Sequence, residues 1–165
     1  MGTKHFKGFS VVEGDVKVKV NLDRFERQYQ DAQFTLDTMV MRSMEPFMPK
    51  QTGNFINLTR SMSDALAGTG MVVAGAPPMG RSLYEGVKMV DPVYHNAGFL
   101  GRNDVWYSRK GVKKVEATTV PGVKNPYWEF STNANPKATD HWFDAAKKAD
   151  GEDWIKSVKK IAGGG

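Results

Sequence analysis

The sequence predicts an α+β fold: a small, mostly antiparallel sheet packed by a long N-terminal helix and a C-terminal helix, with a β-hairpin arm. Three observations lead there. Apolar and charged residues alternate strictly from Asp15 to Val20, which is the pattern of a half-buried strand. Between Leu22 and Met44 the apolar residues recur at spacings of mostly three and four, the period of an amphipathic helix. A second helical stripe, Trp142, Phe143, Ala146 and Ala149, follows near the C-terminus. With 165 residues, 40% hydrophobic and 25% charged, the chain fits a single domain over 1–165, with 88–125 inserted as a loop and hairpin arm.

Each element has its own signals. Whether Phe6 to Val12 forms a strand beside 15–20, turning at Glu13-Gly14, stays open on the sequence. Asn21 can cap the long helix, Asp23 sits in its first turn, and Pro46 must stop it. Its stripe is Leu22, Phe25, Tyr29, Ala32, Leu36, Met39, Val40 and Met44. Phe34 and Met41 lie off that stripe, so either another segment covers them or they form a subunit interface. A rigid loop runs from Pro46 to Asn54, and a short polar helix is expected over Phe55 to Leu66. Gly70 to Gly75 reads as a short strand, and Arg81 to Val87 as one or two helical turns. Val105 to Ser108 and Val112 to Val120 flank Arg109-Lys110-Gly111 and read as a β-hairpin. Thr139 can cap the last helix, which Asp150-Gly151 interrupts before Trp154, Ile155, Val158 and Ile161 resume the stripe.

Most chemistry is argued against by residue type. There are no cysteines, which removes disulfides, thiolate catalysis and cysteine-ligated zinc. No apolar run is long enough for a signal peptide or a membrane span, so a soluble protein without membrane partners is expected. Gly75-Ala76-Pro77-Pro78-Met79-Gly80-Arg81-Ser82 has the spacing of a phosphate-binding loop. However, Pro77 and Pro78 delete two of the backbone donors such a loop needs, and Arg81 replaces its lysine. His5, His95 and His141 have no metal-ligand spacing, although Asp91 and Asp140 stand near enough in sequence to orient the latter two. No nucleophile motif accompanies them, so no catalytic, metal or cofactor residues are expected and the chain does not read as an enzyme. The basic arm is the stronger candidate. Residues 102–124 hold Arg102, Arg109, Lys110, Lys113, Lys114 and Lys124 against Asp104 and Glu116, nearly the whole net charge of +5, with Trp106 and Tyr107 interleaved. Clustered cations beside aromatics suit a sequence-independent DNA contact or a protein partner. Arg109, Lys110, Lys113 and Lys114 are the candidate DNA-facing residues, and Trp106 and Tyr107 join Phe34 and Met41 as candidate subunit contacts.

Three segments, in order, carry a resemblance. Pro46-Phe47-Met48-Pro49-Lys50-Gln51-Thr52-Gly53-Asn54 closes the long helix. Gly80-Arg81-Ser82-Leu83-Tyr84-Glu85-Gly86 follows, and Asn135-Pro136-Lys137-Ala138-Thr139-Asp140-His141-Trp142-Phe143 opens the last helix. Together they resemble the minor capsid or neck proteins of long-tailed bacteriophages, also called tail-completion or head–tail joining proteins. Phe55 stands where that family has leucine, and Pro78-Met79-Gly80 where it has tyrosine-alanine. The resemblance implies a structural virion protein that forms a ring, of six subunits by analogy, between the DNA-filled head and the tail. It implies assembly in the bacterial host cytoplasm, with head-closure, tail-terminator or tail proteins as neighbours. A tail-terminator or head-closure ring is the adjacent alternative, and a non-specific DNA-binding protein a more distant one. The residues carried over are structural: Pro46, Pro49, Thr52, Gly53, Tyr84, Gly86, Pro136, Thr139, Trp142 and Phe143.

Overall fold

The computed structural model of the protein describes residues 6–50, 52–73, 79–100 and 106–163. Its body is a pair of long helices, α1 (Asp23–Met44) and α4 (Trp142–Ile161), packed along each other. The Asn21 side chain accepts from the Asp23 N–H at 2.8 Å and so satisfies one orphan donor at the start of α1. Pro46 lies in the 3-10 turn Glu45–Phe47, where α1 ends. At 22 residues α1 is about 33 Å long, enough to cross the domain.

The core sits where the C-terminal half of α1 meets α4 and α2 (Asn54–Asp64). Val40, Met41, Met44, Met48, Ile56, Trp142, Ala146 and Trp154 form one buried cluster. Trp142 is fully buried and meets Phe55 and Tyr84 edge-on, with ring centroids 5.8 and 4.9 Å away. Trp154 is anchored by its indole N–H, which donates to the Ser43 hydroxyl at 3.1 Å. Met41, which either another segment covers or a subunit contact uses, is only 2% exposed, so the chain itself covers it and it is not a subunit contact. The reason is that α4 and α2 enclose this half of α1 from two sides, so the buried stripe widens beyond one helical face. Phe34, by contrast, is 54% exposed.

The last helix departs from expectation at two points. Its boundary residue is His141, in the left-handed region with φ 44°, and no side chain caps it. Thr139 instead donates its backbone N–H to the Phe47 carbonyl and its hydroxyl to Asp140. Gly151 does not interrupt α4, which continues unbroken to Ile161. A single glycine costs a helix only about 1 kcal/mol, which burial of Trp154 one turn later outweighs.

Among the described residues the strands form three separate antiparallel ladders, not one sheet packed under the helices. In the first, β1 (Phe9–Glu13) pairs with β2 (Val16–Val20), with Phe9 opposite Val20 and Val11 opposite Val18. Gly14, with φ 57°, opens the two-residue turn between them. The other two lie in the arm: β3 (Met89–Val90) pairs with β6 (Val115–Glu116), and β4 (Phe99–Leu100) with β5 (Trp106–Tyr107). The two flanks of Arg109-Lys110-Gly111 therefore pair with different strands, and the expected hairpin between them does not form. The strand expected from Gly70 is also absent over 70–73. Gly70 turns with φ 79°, and Val73 is tied by its carbonyl to the Ser63 hydroxyl instead of to a neighbouring strand. Its remainder, 74–75, lies outside the described residues. The helical turn expected from Arg81 is present as α3 (Gly80–Tyr84).

Candidate interaction surfaces

The three segments that carry the resemblance are brought together in space. The Asn135 amide donates to the carbonyls of Glu45 and Met48 at 2.9 and 2.7 Å. Thr139 donates its N–H to the Phe47 carbonyl at 2.9 Å, and His141 its N–H to the Tyr84 carbonyl at 2.8 Å. These four bonds join the turn after α1, the end of α3 and the approach to α4. Gly86 fits only as glycine, because its φ is 69° and an added Cβ would lie 2.8 Å from the Asp140 carboxylate. Gly53, with φ 87°, sets the entry to α2, just after the loop containing Pro49 and Thr52. Pro136 leads Lys137 over the Phe47 ring, at 5.8 Å from its centroid. Phe143 stacks on Trp154. Burial pushes the Tyr84 hydroxyl above its ordinary pKa, and Asp144, 3.4 Å away, adds to the shift. Beside this hub lies an open groove of about 700 Å³, lined among others by Pro49, Phe55, Leu58, Leu83, Trp128 and Phe130.

The basic arm is held by an ion pair that the sequence reading missed. Arg109 donates from two nitrogens to the Asp91 carboxylate, at 2.7 and 2.8 Å, and lies over the Tyr94 ring. Asp91 also accepts the backbone N–H groups of Val93 and Tyr94. The Arg109 hydrogen bonds, helped by those two N–H groups and opposed by burial, lower the Asp91 pKa from 3.8 to about 2. Lys114 donates to the Ala97 carbonyl. Arg109 and Lys114 are thus committed within the chain, while Lys110 and Lys113 are exposed with no ion pair among the described residues. Tyr107 is partly exposed in β5, which Trp106 begins. Arg102 and Asp104 lie outside the described residues.

A pH dependence follows from the clamp. The folded Asp91 pKa lies below its ordinary value, so the clamp's contribution is complete above about pH 4 and is lost as pH falls through about 2. The Arg109 Nε–H and Tyr94 ring signals should shift together across that window in an NMR titration. Asp91→Asn should speed amide exchange over 93–97 and 107–114 at neutral pH while leaving α1 and α4 protected.

No catalytic constellation assembles among the described residues. Asp91 is occupied by Arg109, so it does not orient the His95 ring. His141 lies 3.5 Å from Glu85 and 3.7 Å from Asp140, half-exposed and without a nucleophile. No cluster of metal-ligating side chains occurs among the described residues. Likewise, none of their helices is long and apolar enough to cross a membrane. His5 and the 75–78 part of the apparent phosphate loop lie outside the described residues.

The largest surprise is the β1–β2 hairpin. Its alternation predicts a half-buried strand, yet Phe9, Val11, Val16 and Val18 are all half or more exposed. The helices bury their faces against each other and, among the described residues, leave the ribbon exposed. Phe6 and Phe25, near its base, are also exposed. No family model, curated protein or solved structure matches the chain.

Proposed function

We propose that the protein is a structural subunit of the neck of a long-tailed bacteriophage, a ring-forming protein that joins the DNA-filled head to the tail. The observation that carries this reading is the hub. Three segments resembling the family's motifs, spread from Pro46 to Phe143, meet in one hydrogen-bonded junction around Asn135, Thr139 and His141. Their shared work there is to fix the exits of helices, which is what a scaffold needs and a reaction does not. The uncovered apolar side chains on the hairpin and at Phe34 fit a subunit that completes its burial in an assembly. Ring closure requires each copy to offer two different surfaces. A tail-terminator or head-closure ring is the adjacent assignment within the same assembly. Mass spectrometry of purified virions tests the class: the protein should be present in a few copies per particle, and its absence from virions would remove the reading.

Where the ring faces DNA, the arm supplies the contact. Of the four sequence candidates, Arg109 and Lys114 are bonded within the chain, while Lys110 and Lys113 have no ion pair among the described residues. Replacing both with alanine should lower the slope of log affinity against log salt by about 2, one unit for each lost phosphate contact. An unchanged slope would leave the arm as a protein contact.

A further inference from the structure

We propose that Asp91 is a positioning residue for the DNA contact: by gripping Arg109 it holds Lys110 and Lys113 in place, so that a carboxylate in the basic arm strengthens binding to DNA. This rests on the reading that Lys110 and Lys113 face DNA, and it adds the residue that presents them. The turn carrying the two lysines is fastened at both ends to one loop, 91–97. On its N-terminal side Arg109 donates from two nitrogens to the Asp91 carboxylate, at 2.7 and 2.8 Å, with the guanidinium 5.0 Å from the Tyr94 ring centroid. On its C-terminal side Lys114 donates to the Ala97 carbonyl, and Val115 pairs with Val90, the residue before Asp91. Only residues 110–113 span the gap, with Gly111 turning at φ 73°. Lys110 and Lys113 are exposed on that span.

The loop is closed around Asp91. The Asp91 N–H donates to the Asn96 carbonyl at 2.8 Å, and its carbonyl accepts the His95 N–H at 2.9 Å. One oxygen of its carboxylate also accepts the N–H groups of Val93 and Tyr94, at 2.8 and 3.2 Å. Asp91 is only 5% exposed, so its charge is engaged inside the arm and is not shown to a passing phosphate. A short span with both ends fixed has little freedom left to lose when it meets a polyanion, and what it does not lose is kept as affinity. Positioning and masking therefore have opposite consequences. If Asp91 only masked Arg109, removing its charge would release a third cation, and binding would tighten and depend more steeply on salt. If Asp91 positions the lysines, removing its charge loosens the span, and binding weakens even though the chain becomes more basic.

Fluorescence anisotropy of the full chain on a short DNA duplex of mixed sequence, over a salt series, reads affinity and salt slope separately. Asp91→Asn keeps an oxygen for the Val93 and Tyr94 N–H groups but no longer pairs with Arg109. It should weaken binding about tenfold at every salt concentration, with the slope and the circular dichroism spectrum unchanged. Arg109→Gln breaks the clamp from the other side and should lose the same affinity at the same slope, and the two changes together should lose little more than either alone. Arg109→Lys keeps the charge without the two-pronged grip, so it should fall between wild type and Arg109→Gln. Asp91→Asn binding as tightly as wild type, or more tightly with a steeper slope, would overturn the positioning role and leave the lysine contact standing. Failure of the DNA reading itself would show differently: wild type would not bind, or Lys110→Ala with Lys113→Ala would keep the wild-type slope, and the positioning role would fall with it.

Discussion

Trp142→Ala is expected to destabilise the protein by about 3–5 kcal/mol, the cost of removing a large aromatic side chain from a core that closes only partly over the gap. The reason is position. Trp142 is the first residue of α4, is fully buried, and is gripped edge-on by Phe55 from α2 and Tyr84 from α3. Its loss removes from the core cluster a side chain that meets both Phe55 and Tyr84, and urea unfolding would read the change as a lower midpoint at unchanged slope. Trp142→Phe should cost much less. The indole N–H has no hydrogen-bond partner among the described residues, so phenylalanine gives up packing volume but no bond. A phenylalanine variant as unstable as the alanine one would mean that the N–H has a partner after all.

The second large effect is expected at Asp37, a buried carboxylate in the middle of α1. One of its oxygens accepts the backbone N–H groups of Gly68 and Gly70 at 2.8 and 3.0 Å, and the other the Gln33 amide at 2.8 Å. It ties the turn after α2 to the central helix. Asp37→Ala would strip both backbone donors of their acceptor and should cost about 2–4 kcal/mol, since bonds to charged acceptors exceed the ordinary net value. Asp37→Asn keeps the shape and one acceptor oxygen, so it should fall between wild type and alanine. Hydrogen exchange should locate the damage at the amides of residues 66–73 before any global unfolding.

These two residues also show what could be read in advance. Trp142 was legible, because an aromatic at the head of a helical stripe announces a core anchor. Asp37 was not, because an acidic residue on a helix reads as solvated until its backbone partners, some thirty residues away in the chain, are known. The same limit explains Met41. A stripe of spacing three and four predicts a single buried face, but a helix clasped by two others buries more. In the arm, Arg109-Lys110-Gly111 looked like a hairpin turn because local turn chemistry was all that could be seen. The bond from Arg109 to Asp91 and the pairing of β6 with β3 are long-range choices, and they overrode the local signal. Thr139 shows a subtler miss: it has the side chain of a cap, yet His141, in a left-handed turn, ends up at the boundary. For the hairpin the alternation predicts a half-buried strand, and the structure leaves it exposed, because whether a ribbon is covered depends on what packs over it and not on its own pattern.

The neck assignment is tested most directly by removing the protein from its assembly. If the assignment holds, a nonsense codon early in the gene should yield lysates with DNA-filled heads and separate, complete-looking tails under the electron microscope. Tails of irregular length would shift the assignment to the terminator ring, and heads that leak DNA to head closure. Normal infectious particles would contradict the account, because a subunit that joins head to tail cannot be dispensable.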